Sequence, residues 1–304
     1  MVADQVASPT VQVKPRKQRS FRRWASAIVV LIVFGLVVHL FATNQNMRWD
    51  VVWQFLFNPA VVSGAIVTVE LTVLGQIVAI VLGFVIALLR QSRNPVSVAF
   101  AQFYIWFFRA VPLIVQLLFW YNIAIVLPAV GFTIPFTDIG FQISTNDLIS
   151  GFTAAILGLG LHEAAYMAEI IRAGTLSVPQ GQMDAALSIG LERNQAMRRI
   201  VLPQTLRVII PPTGNQFIGL LKASALVSVI GGGDLLTRVE FLYGQNFLVI
   251  PLLVVATIWY VALVSVFSIF QYFLEAGQTA SLANAPSLTH RIWTGLMPIV
   301  RRRR

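Results

Sequence analysis

Five ionisable side chains stand inside long apolar stretches of this chain: Glu70, Arg109, Glu163, Glu169 and Lys222. Each costs about 2.5–3.5 kcal/mol or more near the middle of a bilayer, so each needs a partner or a water-filled cavity. The chemistry they offer is the holding of a polar solute. Covalent chemistry finds little support. There is no cysteine, so no disulfide, thiolate metal site or cysteine nucleophile can form. His39, His162 and His290 have no metal-ligand spacing. No G-x-x-x-x-G-K-[ST] run occurs, and Gly231-Gly232-Gly233 lacks the lysine that would follow. No cofactor is expected, and any ATP hydrolysis must reside in another subunit.

A second group of residues is polar and basic within a chain that is otherwise mostly apolar. It runs from Val178 to Pro203. Asp184-Ala185-Ala186 is followed by Gly190 and then by Ile200, Leu202 and Pro203. Ser177 is expected to cap a helix whose first turn holds Pro179. Gln180 to Ile189 can form nearly three turns, and Gly190 can take the left-handed conformation that ends them. A second short helix is expected from Arg193 to Val201, stopped by Pro203. Two short helices at a fixed angle make a knob. Such a knob can enter a groove on a partner and pass a push onward.

The elements that must position these groups follow from composition. Of 304 residues, 57% are hydrophobic and 11% are charged, with a mean hydropathy of +0.77. Soluble domains carry about 25% charged residues, so this is an integral membrane protein. Residues 1–23 read as a disordered basic cytoplasmic tail. The apolar segment from Trp24 to Phe41 is too long for a signal-peptide core, and no small-residue cleavage site follows it. It is expected to be an uncleaved first span, with residues 24–60 forming that helix and an outer connector. Further spans are expected over Val61–Leu89, Val98–Trp120, Gly151–Ile171, Pro212–Gly231 and Phe247–Leu274. The small residues Gly158, Gly160, Ala164, Ala165 and Ala168 suit close packing of the fourth span against a neighbour.

Lysine and arginine set the orientation. With the N-terminus inside, 18 of the 22 fall in cytoplasmic segments and only Arg48 and Arg238 fall outside; Arg109 and Lys222 lie within spans. The expectation is an all-α polytopic protein with six transmembrane helices and both ends inside. The Val178–Pro203 loop is then cytoplasmic. The net charge of +10 is a topology signal plus attraction to anionic membrane lipid, and no nucleic-acid partner is expected. The outer segment Tyr121–Ser150 has no Lys or Arg and many turn signals. It reads equally as a lid or landing surface and as a partly ordered connector. Residues 276–304 form a basic cytoplasmic tail, in which Leu288–Arg304 reads as a short helix on the inner leaflet.

The spacing of the cytoplasmic loop closely resembles the EAA loop of bacterial ABC importer permeases, with Asp184 standing where Glu is usual. Four further stretches resemble the amino-acid permeases of the histidine/glutamine/opine class. They are Thr68-Val69-Glu70-Leu71-Thr72, Phe108-Arg109-Ala110-Val111-Pro112-Leu113-Ile114-Val115-Gln116, Ala165-Tyr166-Met167-Ala168-Glu169-Ile170-Ile171-Arg172-Ala173-Gly174, and Phe217-Ile218-Gly219-Leu220-Leu221-Lys222-Ala223-Ser224-Ala225-Leu226. The likeness covers residues 61–275, the permease core. It implies a bacterial inner-membrane subunit importing a polar amino acid. It also implies a second permease subunit, two ABC ATPase subunits gripping the loop at Asp184, Ala185, Ala186, Gly190, Ile200, Leu202 and Pro203, and an extracytoplasmic amino-acid-binding protein. The rivals are an ABC permease for another solute class and an ATP-independent secondary transporter or channel. The stretches at Arg109 and Tyr166 argue against the first, and the loop against the second.

At about 1.5 Å per residue, Arg109 falls roughly 16 Å, and Glu163 and Lys222 roughly 15 Å, from the inner ends of their spans, with Glu70 roughly 13 Å from an outer end. Two positive and two negative groups thus share a mid-membrane depth. One reading has them pair as structural salt bridges, which suits Arg109, Glu169 and Lys222 because they fall in the general motifs. Glu163 sits where many members are uncharged. His162, Tyr166 and Glu169 share one helical stripe, and Glu163 lies about 100° round from His162. The other reading places Glu163, His162, Tyr166 and Glu70 along a substrate path that favours an ammonium or cationic side chain.

Overall fold

The computed structural model describes residues 21–133 and 140–280. The basic tail 1–20 and the expected surface helix 288–304 lie outside the described residues. Residues 1–48 and 49–304 form two separate units. In the first, α1 (Phe21–Thr43) is a continuous helix whose apolar side chains are exposed, long and apolar enough to cross a bilayer.

The second unit begins with α2 (Trp49–Leu56) and then α3 (Pro59–Arg90). Asn58 caps α3 by accepting from the Ala60 amide at 2.9 Å, and Pro59 occupies the first turn, where its missing N–H costs nothing. Then come α4 (Pro95–Ala110) and α5 (Leu113–Tyr121), an outer segment with β1 (Ala129–Thr133) and β2 (Gly140–Ser144), α6 (Thr145–Leu148) and α7 (Gly151–Leu176). The loop Val178–Pro203 holds α8 (Gln180–Ser188) and α9 (Arg193–Ala196). α10 (Leu202–Ala223), α11 (Leu235–Asn246) and α12 (Val249–Ala280) follow. Among the described residues, four helices are long and apolar enough to span, and two bent pairs raise the number to six if each pair is one span.

Packing centres on α7 against α3. Gly158, Gly160, Ala164, Ala165 and Ala168 are all buried, as their size suggests. A Cβ at Gly160 would sit 2.7 Å from a Val78 methyl of α3, and one at Gly158 would sit 2.7 Å from Leu117 of α5. From the other side, a Cβ at Gly83 would meet Met167 Cβ at 2.6 Å and the Ala164 carbonyl at 3.0 Å. These helices approach too closely for any larger side chain, and dispersion contact replaces the hydrophobic effect that lipid does not supply.

The third expected span is not one straight helix. α4 and α5 meet at 101°. Pro112 lacks an amide proton, and Val111 before it is held extended at φ −81°, ψ 127°. The fifth expected span starts earlier than Pro212, at Leu202. It runs through Pro211 and Pro212 and then tightens into a 3₁₀ stretch over Ser224–Ile230 before turning by 44° into α11. Gly231 (φ 64°) and Gly233 (φ 83°) make that junction. Asp234 caps α11, accepting from the Leu236 amide at 3.0 Å and the Thr237 amide at 3.4 Å. Thr68 Oγ1 of α3 accepts from the Leu235 amide at 3.0 Å.

The outer segment holds an antiparallel β1–β2 hairpin that sequence reading did not anticipate.

Candidate functional site

The break between α4 and α5 lays a set of polar side chains against the middle of α7. Breaking a helix strands carbonyls. Gln116, one turn beyond Pro112, turns its amide back on them. Its Nε2 donates to the Phe108 carbonyl at 3.0 Å and to the Val111 carbonyl at 2.9 Å. The same Nε2 lies 3.0 Å from Nδ1 of His162. The His162 ring stands 5.3 Å from the Tyr166 ring, one turn along α7. Arg109, at the last turn of α4, holds its guanidinium 5.0 Å over the Tyr166 ring. Gln116, His162, Tyr166 and Arg109 therefore form one connected cluster at the bend.

Arg109 and Tyr166 line a cleft of about 550 Å³ together with Trp106, Gln102, Glu169 and Arg90. At its inner end Glu169 pairs with Arg90 of α3 and with Arg172, whose Nε donates to Oε2 at 3.1 Å. The cleft thus has a guanidinium over an aromatic face and, beside it, a carboxylate satisfied by two arginines.

Glu163 of α7 is 6% exposed, and its Oε1 has no hydrogen-bond partner among the described residues. Gln76 on α3 is also buried, and neither of its amide atoms has a hydrogen-bond partner among the described residues. Glu70 and Lys222 are exposed and, among the described residues, make no ion pair. The cluster joins Arg109, His162 and Tyr166, and Glu169 shares their cleft. Glu163 lies on a different side of α7, and Glu70 and Lys222 stand apart.

The loop Val178–Pro203 forms its first helix close to the expected range, and Gly190 is left-handed at φ 86°. Ala186 is buried, whereas Asp184 and Ala185 are exposed. Ile189, at 77% exposure, projects beside Gly190. Two local expectations are corrected. Ser177 does not cap α8. Its hydroxyl donates to the Gly174 carbonyl at 2.7 Å and so closes α7, while Pro179 precedes α8 without a side-chain cap. Nor does Pro203 stop the second helix. α9 widens into a single π turn over Met197–Val201 and continues into α10, with Pro203 in its first turn. The wide turn accommodates a residue with no amide proton, so the ring fits without a break. Val201 is buried, Ile200 is half-buried, and Leu202 is exposed.

Gln116 and Gln76 were not singled out from sequence. Gln116 closes the stretch that begins at Phe108, and its place four residues after Pro112 was the available signal.

Residues 79–279 match the family described as binding-protein-dependent transport system inner membrane component. The arginine transport system permease protein ArgU of Corynebacterium glutamicum is 36% identical, over 91% of this chain and 91% of its own. The probable amino-acid permease protein YxeN of Bacillus subtilis is 34% identical, over 73% of this chain and 94% of its own. Among solved structures, the crystal structure of an amino acid ABC transporter with histidines is similar at 33% identity, over 72% of this chain and 94% of that one, with a TM-score of 0.61. The match runs from the inner half of α3 through nearly all of α12, and the chain belongs to the family of inner membrane components of binding-protein-dependent transport systems.

Proposed function

We propose that this chain is the permease subunit of an ATP-driven importer of a polar amino acid, with arginine the first substrate to test. The observation that carries the reading is the Arg109 guanidinium held over Tyr166 in an open cleft at mid-membrane depth. A fixed cation on an aromatic face suits an α-carboxylate. The relative ArgU is named for arginine. The buried Glu163 carboxyl, with His162 beside it, biases the path toward an ammonium or guanidinium side chain. Glu70 on α3 offers a carboxylate nearer the outer face.

The chain supplies the path and no hydrolysis. Two separate ABC ATPases grip Asp184, Ala185, Ala186, Gly190, Ile200, Leu202 and Pro203, and ATP-driven closure moves α8 and α9, shifting the bundle between outward and inward forms. A second permease subunit completes the membrane part, and an extracytoplasmic binding protein delivers the amino acid. Reconstitution of the chain with these partners in proteoliposomes tests this. Labelled arginine, histidine and glutamine are offered with and without internal ATP. ATP-dependent uptake of at least one is expected. Equal uptake without nucleotide or ATPase, or uptake following an ion gradient, overturns the reading.

A further inference from the structure

The β1–β2 hairpin carries an apolar side that is exposed among the described residues. Its register pairs Val130 with Ile143, Gly131 with Gln142 and Phe132 with Phe141. Residues two apart in a strand share a face, and directly opposed residues do too. Val130, Phe141 and Ile143 therefore fall on one side, and Gln142 and Ser144 on the other. The three apolar residues are 44%, 63% and 40% exposed. The base of the hairpin is clamped. The Thr145 amide donates to the Pro128 carbonyl at 3.0 Å, its hydroxyl bonds the Leu127 carbonyl, and Thr145 itself is buried.

We propose that this hairpin is an interfacial anchor that lays Val130, Phe141 and Ile143 on the outer leaflet of the bilayer. Three observations select lipid. The apolar side is continuous along the chain with exposed Ile125, Val126 and the outer end of α5, where Leu118, Phe119 and Tyr121 are also exposed. The segment 121–150 contains no Lys or Arg, and its only charges are Asp138 and Asp147. It therefore lacks the mixed charges that steer and register a soluble protein partner. Finally, a two-stranded hairpin has two open edges whose N–H and C=O groups need water. It cannot enter the hydrocarbon, but it can rest at headgroup depth with one side down. The lysine and arginine distribution places it on the outer side. The inference does not depend on the amino acid carried or on Arg109.

The chain has no cysteine, so single labels are clean. Phe141→Cys, Gln142→Cys and Ile143→Cys are made in the full chain within its complex, labelled with nitrobenzoxadiazole and placed in phosphatidylcholine/phosphatidylglycerol nanodiscs. The expected pattern has a period of two. Labels at 141 and 143 show blue-shifted emission and lose intensity to nitroxide-bearing lipids, whereas the label at 142 is quenched by aqueous iodide. Because these positions are exposed, the variants should elute as wild type. Iodide quenching at all three positions overturns the proposal. So does protection at 141 that appears only after the extracytoplasmic binding protein is added, which would assign the hairpin to that partner.

Discussion

Arg109 and Tyr166 meet across the bend of the third span, with the guanidinium carbon 5.0 Å from the ring centroid. The contact ties the last turn of α4 to the middle of α7. It also gives a cation in the membrane a partner that does not neutralise it. A salt bridge would satisfy Arg109 but leave no charge for a solute. An aromatic face stabilises the cation and keeps its donors free for an incoming carboxylate.

Removal of the ring should therefore weaken substrate handling without abolishing insertion. Cation–π contacts are worth about 0.5–2 kcal/mol, so Tyr166→Leu should raise the KM for uptake by about 2- to 30-fold. Tyr166→Phe keeps the ring and should stay near wild type. Arg109→Ala should lose more than either, since the charge itself goes. Unchanged KM in Arg109→Ala, measured in proteoliposomes with the ATPases present, removes Arg109 from the path.

Glu163→Gln keeps the shape of the buried side chain while deleting the charge. The ratio of arginine to glutamine uptake should fall, with expression unaltered. If substrate preference and expression are both unaltered, Glu163 is a packing residue.

Gln116 should matter to stability more than to selectivity. Gln116→Leu leaves the Phe108 and Val111 carbonyls without their side-chain donor, and each such loss costs about 1–3 kcal/mol. The thermal midpoint in detergent should drop clearly. A midpoint equal to wild type shows that water or another donor replaces the amide.

Gly83 is a close-contact position, because an added Cβ would meet Met167 and the Ala164 carbonyl. Overpacking of this kind costs about 1–3 kcal/mol, so Gly83→Ala should lower the yield of folded protein and its thermal midpoint. Gly35→Ala in α1, where an added Cβ meets nothing within 4 Å, is the control and should be silent.

Gly190 tests the coupling loop. Its φ of 86° disfavours any side chain, yet the space around it is open. Gly190→Ala should add local strain of about 1–2 kcal/mol and reduce transport in part. Gly190→Trp, or deletion of the loop, should abolish ATP-driven uptake while membrane insertion, read by fractionation, is retained. Normal uptake by either variant refutes the coupling role.

Chain composition alone determined that this protein lives in a membrane, because so few charged residues cannot cover a soluble surface. The lysine and arginine asymmetry gives an expected orientation with both ends inside, since that bias depends only on which loops hold the charges. Spacing of small residues marked the packed side of α7, a pattern local to one helix. Gly190 was readable for the same reason, as a left-handed turn is a property of one residue. Tertiary structure decided what apolar periodicity does not encode. The 101° bend at Pro112 was invisible to hydropathy, which sums over a window and ignores direction. The wide turn before Pro203 arose from continuity with α10, so a residue that reads as a stop became a first turn. Partner choice among the charges within the apolar stretches also waited for the fold. Arg109 found Tyr166, and Glu169 found Arg90 and Arg172, because electrostatic pairing follows distance in space and the sequence supplies only depth.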